Sequence, residues 1–451
     1  MGLSESKSLI SSWPLIFWRF YGLIFRGLTF LTEVLGLANK YPQLRQRYLT
    51  EDLLDGLRKE RAEHQECFVV FASSAGEYEQ ALPLVAKLRE TYRSCLIVMV
   101  VFSESGIHFA KKQNSETVVV KAPWDNFNDW YRLFEILKPK ASFIVRYELW
   151  PGFMKAAHRC GPLYLINASM SRRDSVIGLW LKKKLFKKIK LVFLVGEDDR
   201  SYFKLRLGLT DEQLIRAGDT KYERVLQRRV EFSKKFEGIR DNTDQLWLAS
   251  KRRIIIGSCW PADLELFLRL KAMGFPMENW NFIVAPHDVS EKSLGFFEQA
   301  LHEAGLQSCR YSQKENLTPS YEVLLIDVIG LLPELYGIAD IAFVGGANHY
   351  RVHNVLEPAA WARPIAFGPH HTTSKEARML VKESLATVVD SADGLGRWIH
   401  YWNHNVTLSK ESGRIENIRL VAYTKKMAGA SHKIIERLAI ENKKHGKKIS
   451  H

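Results

Sequence analysis

The residues that could do chemistry fall into two groups, one in each half of the chain. In the first half, Ser73-Ser74-Ala75-Gly76-Glu77 sits where an apolar, strand-like run (67–72) gives way to a helical pattern. Small residues there let a substrate approach the backbone. Glu77 falls at the helix start, at the carboxyl end of the strand, where a carboxylate could serve as a general base. The same place suits a carboxylate that only complements the helix dipole. Glu148, in Glu148-Leu149-Trp150-Pro151, follows the run 142–145, and Pro151 suits the first turn of a helix. Glu77 and Glu148 at adjacent strand ends form a candidate catalytic pair. Equally, Glu148 reads as a structural carboxylate holding backbone N–H groups.

The second group centres on Asp340-Ile341-Ala342-Phe343-Val344-Gly345-Gly346-Ala347, followed by His353-Asn354-Val355-Leu356-Glu357-Pro358. The order is buried strand, glycine turn, loop, helix start. Asn354 reads as the N-cap, with Glu357 completing a capping-box-like pair. In an open α/β sheet this places N–H groups at a crevice beyond the strand, where an anion or nucleotide fits. A plain strand-to-helix connection would give the same pattern. Gly257-Ser258 and Pro286-His287 each end another strand-like run and could line the same crevice with N–H, hydroxyl or imidazole donors. His370-His371 follow Gly368-Pro369 in the same layer. HExxH, DxD with acidic neighbours and GxxxxGK[ST] are all missing, so neither a metal, a cofactor nor ATP hydrolysis is expected.

These residues need elements to position them. From residue 67 short apolar runs alternate with helical stretches: strands near 67–72, 96–101, 117–120, 142–145, 163–166 and 191–195, with helices such as 77–89 and 130–137 between. A polar, turn-rich stretch at 235–247 reads as a linker. The alternation restarts with strands near 254–256, 282–285, 323–326, 341–344, 364–367 and 387–389. Strict alternation predicts parallel sheets covered on both faces. The expected organisation is an α/β chain of two Rossmann-like domains facing a cleft: a membrane-associating segment 1–40, a first domain 41–235, a second domain 246–435 and a basic tail 436–451.

The chain has 451 residues, 46% hydrophobic and 25% charged, an ordinary globular balance. The 65 Lys and Arg against 50 Asp and Glu give +15, which favours a polyanionic partner. Five cysteines without a CxxC pair argue against a disulfide framework or zinc site and suit a reducing compartment. Residues 9–37 are the most apolar stretch, but Arg19 and Arg26 interrupt it, which argues against a clean span. An interfacial helix with Trp13, Trp18 and neighbouring aromatics in the lipid is expected; a helix packed on the protein's own core is the alternative. Between 180 and 190, apolar residues at 181, 185, 186 and 189 form one helical stripe, and six lysines (Lys182, Lys183, Lys184, Lys187, Lys188, Lys190) fill the rest. This reads either as a membrane-surface helix or as a solvated face. Aromatics do not interleave with a basic stripe, so no nucleic-acid partner is expected.

In order, these pieces resemble the Kdo transferases, which add 3-deoxy-D-manno-octulosonic acid to the lipid A precursor of lipopolysaccharide. The resemblance is carried by Ala72-Ser73-Ser74-Ala75-Gly76-Glu77-Tyr78-Glu79-Gln80, Ala122-Pro123-Trp124-Asp125, Glu148-Leu149-Trp150-Pro151, Asn167-Ala168-Ser169-Met170-Ser171 and Gly218-Asp219-Thr220-Lys221-Tyr222. It continues through Gly257-Ser258, Ala285-Pro286-His287, Gly345-Gly346, His353-Asn354-Val355-Leu356-Glu357-Pro358 and Gly368-Pro369-His370. It implies a GT-B type glycosyltransferase at the cytoplasmic face of the inner membrane. It further implies CMP-Kdo as donor, a lipid A precursor as acceptor, inversion, and no bound metal. Glu77 would be the general base. Gly257, Ser258, Pro286, His287, Gly345, Gly346, Asn354 and Glu357 would be nucleotide-site candidates. The chain departs from the family pattern at Phe71, Arg146, Ser169, Cys259-Trp260, Arg351 and Val352. Two other readings stay open on that account: a different nucleotide sugar on the same fold, or an inactive lipid A- or membrane-binding homologue.

Overall fold

The computed structural model describes residues 49–113, 116–146, 149–169, 175–240, 251–405, 408 and 414–449. Contacts divide the chain into two units. One comprises the residues up to Thr220 together with those from Gly429 onward, and the other runs from Lys221 to Ala428.

The first unit holds a seven-stranded sheet in the order β3-β2-β1-β4-β5-β6-β7. Its strands are β1 (Glu66–Ala72), β2 (Cys95–Val101), β3 (Val118–Lys121), β4 (Ala141–Val145), β5 (Leu163–Ala168), β6 (Leu191–Leu194) and β7 (Leu214–Arg216). Every pairing is parallel. Both faces are buried. Val69 and Phe71 enter one apolar cluster with Trp130, Phe134 and Phe153, while Phe68 and Val70 enter the other with Leu84, Leu88 and Phe143. Such two-sided burial produces continuous apolar runs rather than alternation.

The second unit repeats the scheme in the order β10-β11-β9-β8-β12-β13-β14, again all parallel. Its strands are β8 (Arg252–Cys259), β9 (Trp280–Pro286), β10 (Ser308–Arg310), β11 (Val323–Leu325), β12 (Ile341–Val344), β13 (Ile365–Phe367) and β14 (Ala386–Val388). In each sheet the chain winds outward from the first strand and then returns to its other side. The switch points lie between β1 and β4 and between β8 and β12, where open α/β sheets bind ligands at the carboxyl ends of the strands.

The expected domain limits differ from this division in two places. A helix, Thr220–Arg240, runs through the start of the expected linker, and 241–250 lie outside the described residues. The tail expected at 436–451 is helical as far as Ile449, in a helix that begins at Ala430. Ile434, Ile435 and Leu438 form an apolar stripe that needs a partner, and it is buried against Ala217, Tyr164 and Phe193 of the first unit. Lys190 pairs with Glu441 at 3.2 Å on the same contact. Among the described residues no helix is long and apolar enough to cross a membrane.

Candidate functional site

In the first unit the site begins at the end of β1. Ser74 is the N-cap of helix Ala75–Thr91, and Glu77 is its third residue. Glu77 Oε2 accepts from Ser73 N at 2.9 Å, Ser73 Oγ at 2.6 Å and Ser74 N at 3.2 Å. Ser74 Oγ accepts in return from Glu77 N, which completes a capping box. The carboxylate is therefore both a helix-start device and a fixed, half-buried group at the switch point. The two readings of Glu77 are compatible, because capping orients the group that chemistry would need.

Next to it the strand ends carry a polar cluster. Phe71 pairs with Ile144, so continuing the β1–β4 register brings Ser73 opposite Arg146. Arg146 has φ 63° and Asn167, near the end of β5, has φ 54°, left-handed conformations that non-glycine residues adopt at a cost. Both side chains converge on Gln80 Oε1, one helical turn beyond Glu77. Asn167 also bonds Thr220 in both directions, and Thr220 Oγ1 donates to Gln80 O at 2.6 Å. Arg146 further reaches the buried Asp219 at 3.5 Å.

Asp125 has a different task. Buried, it accepts from Gly152 N (3.0 Å), Phe153 N (2.9 Å) and Trp130 Nε1 (3.1 Å). It thereby supplies the cap that Trp150, the N-cap residue of helix Pro151–Cys160, lacks in its own side chain. The Trp-Asp and Trp-Pro motifs are thus parts of one helix start. Glu148 lies outside the described residues.

In the second unit, the ends of β8 and β12 meet around Asp263. This fully buried carboxylate accepts from Trp260 N at 2.9 Å, Gly346 N at 2.8 Å and Asn348 Nδ2 at 2.9 Å. Burial pushes its carboxyl up from the ordinary range, while those three donors oppose the rise. Gly345 N donates to Gly257 O across the switch point at 2.8 Å. A Cβ on Gly345 would collide with Ser258 O and lie 2.6 Å from Asp263 Oδ2, and Gly346 has φ 91°. Both glycines are therefore required by the turn itself.

Four rings stand above this turn. Trp260 stacks on His349 at 4.7 Å and on His287 at 4.8 Å, and His287 stacks on His353 at 4.5 Å. Trp260 Nε1 donates to His353 Nε2 at 3.1 Å. Burial first, then the charges of His287 and Arg351, push His353 down from about 6.5 to about 4.

The nucleotide-site candidates Gly257, Ser258, Pro286, His287, Gly345 and Gly346 are accordingly gathered at one sheet edge. Asn354 and Glu357 follow on the same loop, with one correction. Asn354 is not the N-cap. Helix Leu356–Ala360 starts from Val355, which lacks a side-chain cap bond, and Asn354 stands one residue earlier. Its Oδ1 accepts from Leu356 N (3.1 Å) and its Nδ2 donates to Glu357 Oε1 (3.0 Å), so the bond joins side chain to side chain. The glutamate lies near enough to Tyr336 that its charge helps to raise the phenol, after burial. Sequence reading missed Asp263 as a site group, and it had Trp260 only as a departure from the family pattern and His353 only as part of a motif, not as a bonded pair. A lone buried acid and two rings 93 residues apart carry no local period.

Of the basic stretch, helix Val176–Phe186 forms, but the apolar stripe turns inward: Leu185, Phe186 and Ile189 are buried in the first unit's core. Trp180 is exposed, with Lys184 Nζ 4.1 Å from its ring, and Lys183 and Lys187 are exposed as well. Trp13 and Trp18 lie outside the described residues.

Two open parallel sheets, each with polar side chains gathered at its switch point, define a GT-B type α/β fold. The same fold is seen in solved structures, including UDP-GlcNAc 2-epimerase from Neisseria meningitidis (TM-score 0.56, 13% identity, 84% of this chain and 100% of that one). A glycosyltransferase from Rickettsia africae gives TM-score 0.54 at 8% identity over 83% of this chain and 97% of the other. Residues 43–224 match the family model of 3-deoxy-D-manno-octulosonic-acid transferase (kdotransferase). The chain is 28% identical to 3-deoxy-D-manno-octulosonic acid transferase of Haemophilus influenzae over 73% of its length and 77% of that protein. It is 27% identical to a bifunctional glycosyltransferase/methyltransferase of Fusobacterium nucleatum over 68% of its length, and spans about half (48%) of that protein. The resemblance read in the sequence holds: residues 43–224 match the Kdo transferase model, and the chain is similar to curated Kdo transferases over 70–73% of its length, which places it with the glycosyltransferase enzymes.

Proposed function

We propose that the enzyme moves Kdo from CMP-Kdo to a lipid A precursor in lipopolysaccharide biosynthesis, at the cytoplasmic face of the inner membrane. The observation that carries this reading is Glu77, held at the β1–β4 switch point by three donors on one oxygen. In the reaction, a hydroxyl of the acceptor attacks the anomeric carbon of the donor sugar and gives its proton to the Glu77 carboxylate. The bond from that carbon to the CMP phosphate oxygen breaks, CMP leaves as an anion, and the anomeric centre inverts. The departing phosphate would be met by polar side chains at the second unit's strand ends, with no metal or cofactor invoked. The edge formed by Gly257, Ser258, Pro286, His287, Gly345, Gly346, Asn354 and Glu357 would hold the CMP moiety. The positive charge of the chain suits a bisphosphorylated acceptor in an anionic leaflet, and no nucleic-acid partner is proposed.

A second reading keeps the fold and changes the nucleotide sugar. It is favoured by Trp260, which departs from the family pattern and puts an indole and a stacked histidine array into the donor edge. The test separates the two. Purified protein is incubated with CMP-Kdo and lipid A precursor, and the lipid is weighed by mass spectrometry. A mass increase of one or more Kdo units is expected. No increase with CMP-Kdo, but transfer from another nucleotide sugar, would favour the second reading. No transfer from any donor would leave a binding protein.

A further inference from the structure

The indole nitrogen of Trp260 can only donate, and it points at His353 Nε2 from 3.1 Å. Nε2 must therefore be unprotonated, which leaves the ring proton on Nδ1. A doubly protonated ring would set N–H against N–H. The charged groups around His353 agree. His287, at the end of β9, stacks on it, and Arg351 stands two residues before it on the same loop. His349 lies on the far partner, Trp260. Asp263, the carboxylate of this turn, from helix Pro261–Ala272, accepts from Trp260 N, Gly346 N and Asn348, and Glu357 is bonded by Asn354. The charges that act on the ring, His287 and Arg351, both disfavour a charged form, and burial disfavours it most. The ring is seated by the glycine turn: a Cβ on Gly346 would lie 2.7 Å from His353 Cδ2.

We propose that Trp260 is a positioning residue that holds His353 as a single neutral tautomer, whose Nδ1–H donates to an anionic oxygen of the bound nucleotide. This rests on the donor-site reading above. A neutral N–H fixed in place needs no proton uptake to bind an anion, so its contribution stays constant across the neutral pH range. A free histidine with an ordinary value near 6.5 would switch within that range.

The test is imidazole ¹⁵N NMR on the full chain with labelled histidine, from pH 5 to 9, with His353→Gln used to assign the signal. A pyrrole-type Nδ1 and a pyridine-type Nε2 that do not titrate above pH 5 are expected. Trp260→Phe keeps the stacking ring and removes the donor, so it should mix the tautomers and bring a titration into the window. Adding CMP should move the Nδ1 signal of the unmodified protein. His353→Gln can still accept from the indole and donate outward, so CMP affinity by calorimetry should fall only a few-fold. His353→Leu should lose about tenfold to a hundredfold, the worth of a hydrogen bond to a charged acceptor. The proposal is overturned by an Nε2–H tautomer, by a titration near pH 6.5 in the unmodified protein, or by a Trp260→Phe spectrum that is unchanged. CMP binding that leaves the His353 signal in place overturns it alone. Calorimetry showing no CMP binding at all would sink the donor-site reading instead.

Discussion

At Glu77 one side chain carries two jobs, and they can be separated. Gln keeps the length of the side chain and can still close a capping box from the third helical position. Glu77→Gln should therefore leave the melting temperature and CMP affinity nearly unchanged while transfer falls by about 10²–10⁴-fold, the range for loss of a general base. A variant retaining more than half its activity would place the base elsewhere. His353 makes a second prediction, on stability. Its folded-state value lies below its unfolded one, about 4 against 6.5. The folded form therefore binds the proton less well than the unfolded chain. The stability it confers is complete above pH 6.5 and is lost as pH falls toward 4. Urea midpoints should fall over that window, and His353→Gln should flatten the slope. An unchanged slope would assign the acid sensitivity to other groups. At this scale the sequence showed which residues lie at strand ends, because strand ends follow apolar runs. It did not show partners such as Trp260 with His353, since pairing across 93 residues is decided by the sheet order.

The elements were the more legible level. Twelve apolar runs expected as strands are strands, with ends shifted by a few residues at most; in the inner strands burial on both faces writes a continuous apolar run, while the edge strands Val118–Lys121 and Ala386–Val388 are largely unburied. The short edge strands Leu214–Arg216 and Ser308–Arg310 escaped notice. Each has three residues, and only the middle or first of them is buried. The capping chemistry was only half legible. Ser74 and Glu77 lie within one helical turn, so their pairing can be read locally. Asp125 caps a helix through Gly152 N, 27 residues later, so its role needs the fold. That role is testable. Asp125→Ala strips acceptors from two backbone N–H groups and from a buried indole, and should cost the first unit about 2–4 kcal/mol in urea unfolding. Asp125→Asn, which keeps one acceptor oxygen, should cost less. Equal losses for the two would mean that the packing of the side chain, rather than its acceptors, supports the helix.

For the whole molecule, the question is where a net charge of +15 is used. Helix Val176–Phe186 offers one concentrated patch. Its apolar stripe is committed to the core, so what is exposed is Trp180, Val176, Lys183 and Lys187, with Lys182, Lys184 and Lys188 half-buried beside them. Burial and like charge from Lys187 lower Lys184, and burial with Lys155 lowers Lys188. The patch therefore holds cations that repel one another, and an anionic surface would relieve that repulsion. We expect it to act together with residues 9–37 as a two-part attachment to anionic bilayers. The lysines supply a salt-sensitive part, each worth about 1 kcal/mol near the surface, and the apolar segment supplies a salt-resistant part. In vesicle sedimentation, full-length protein should bind anionic vesicles at both low and high salt. Deleting residues 1–38 should release it at high salt and only partly at low salt. Replacing Lys182, Lys183, Lys184, Lys187 and Lys188 with Gln should remove the low-salt remainder, weakening binding roughly a hundredfold or more. A truncated protein that stays on neutral vesicles at high salt would show that another surface docks. Full-length protein that never binds anionic vesicles would end the membrane reading, and the apolar segment would then have to be packed on the protein itself.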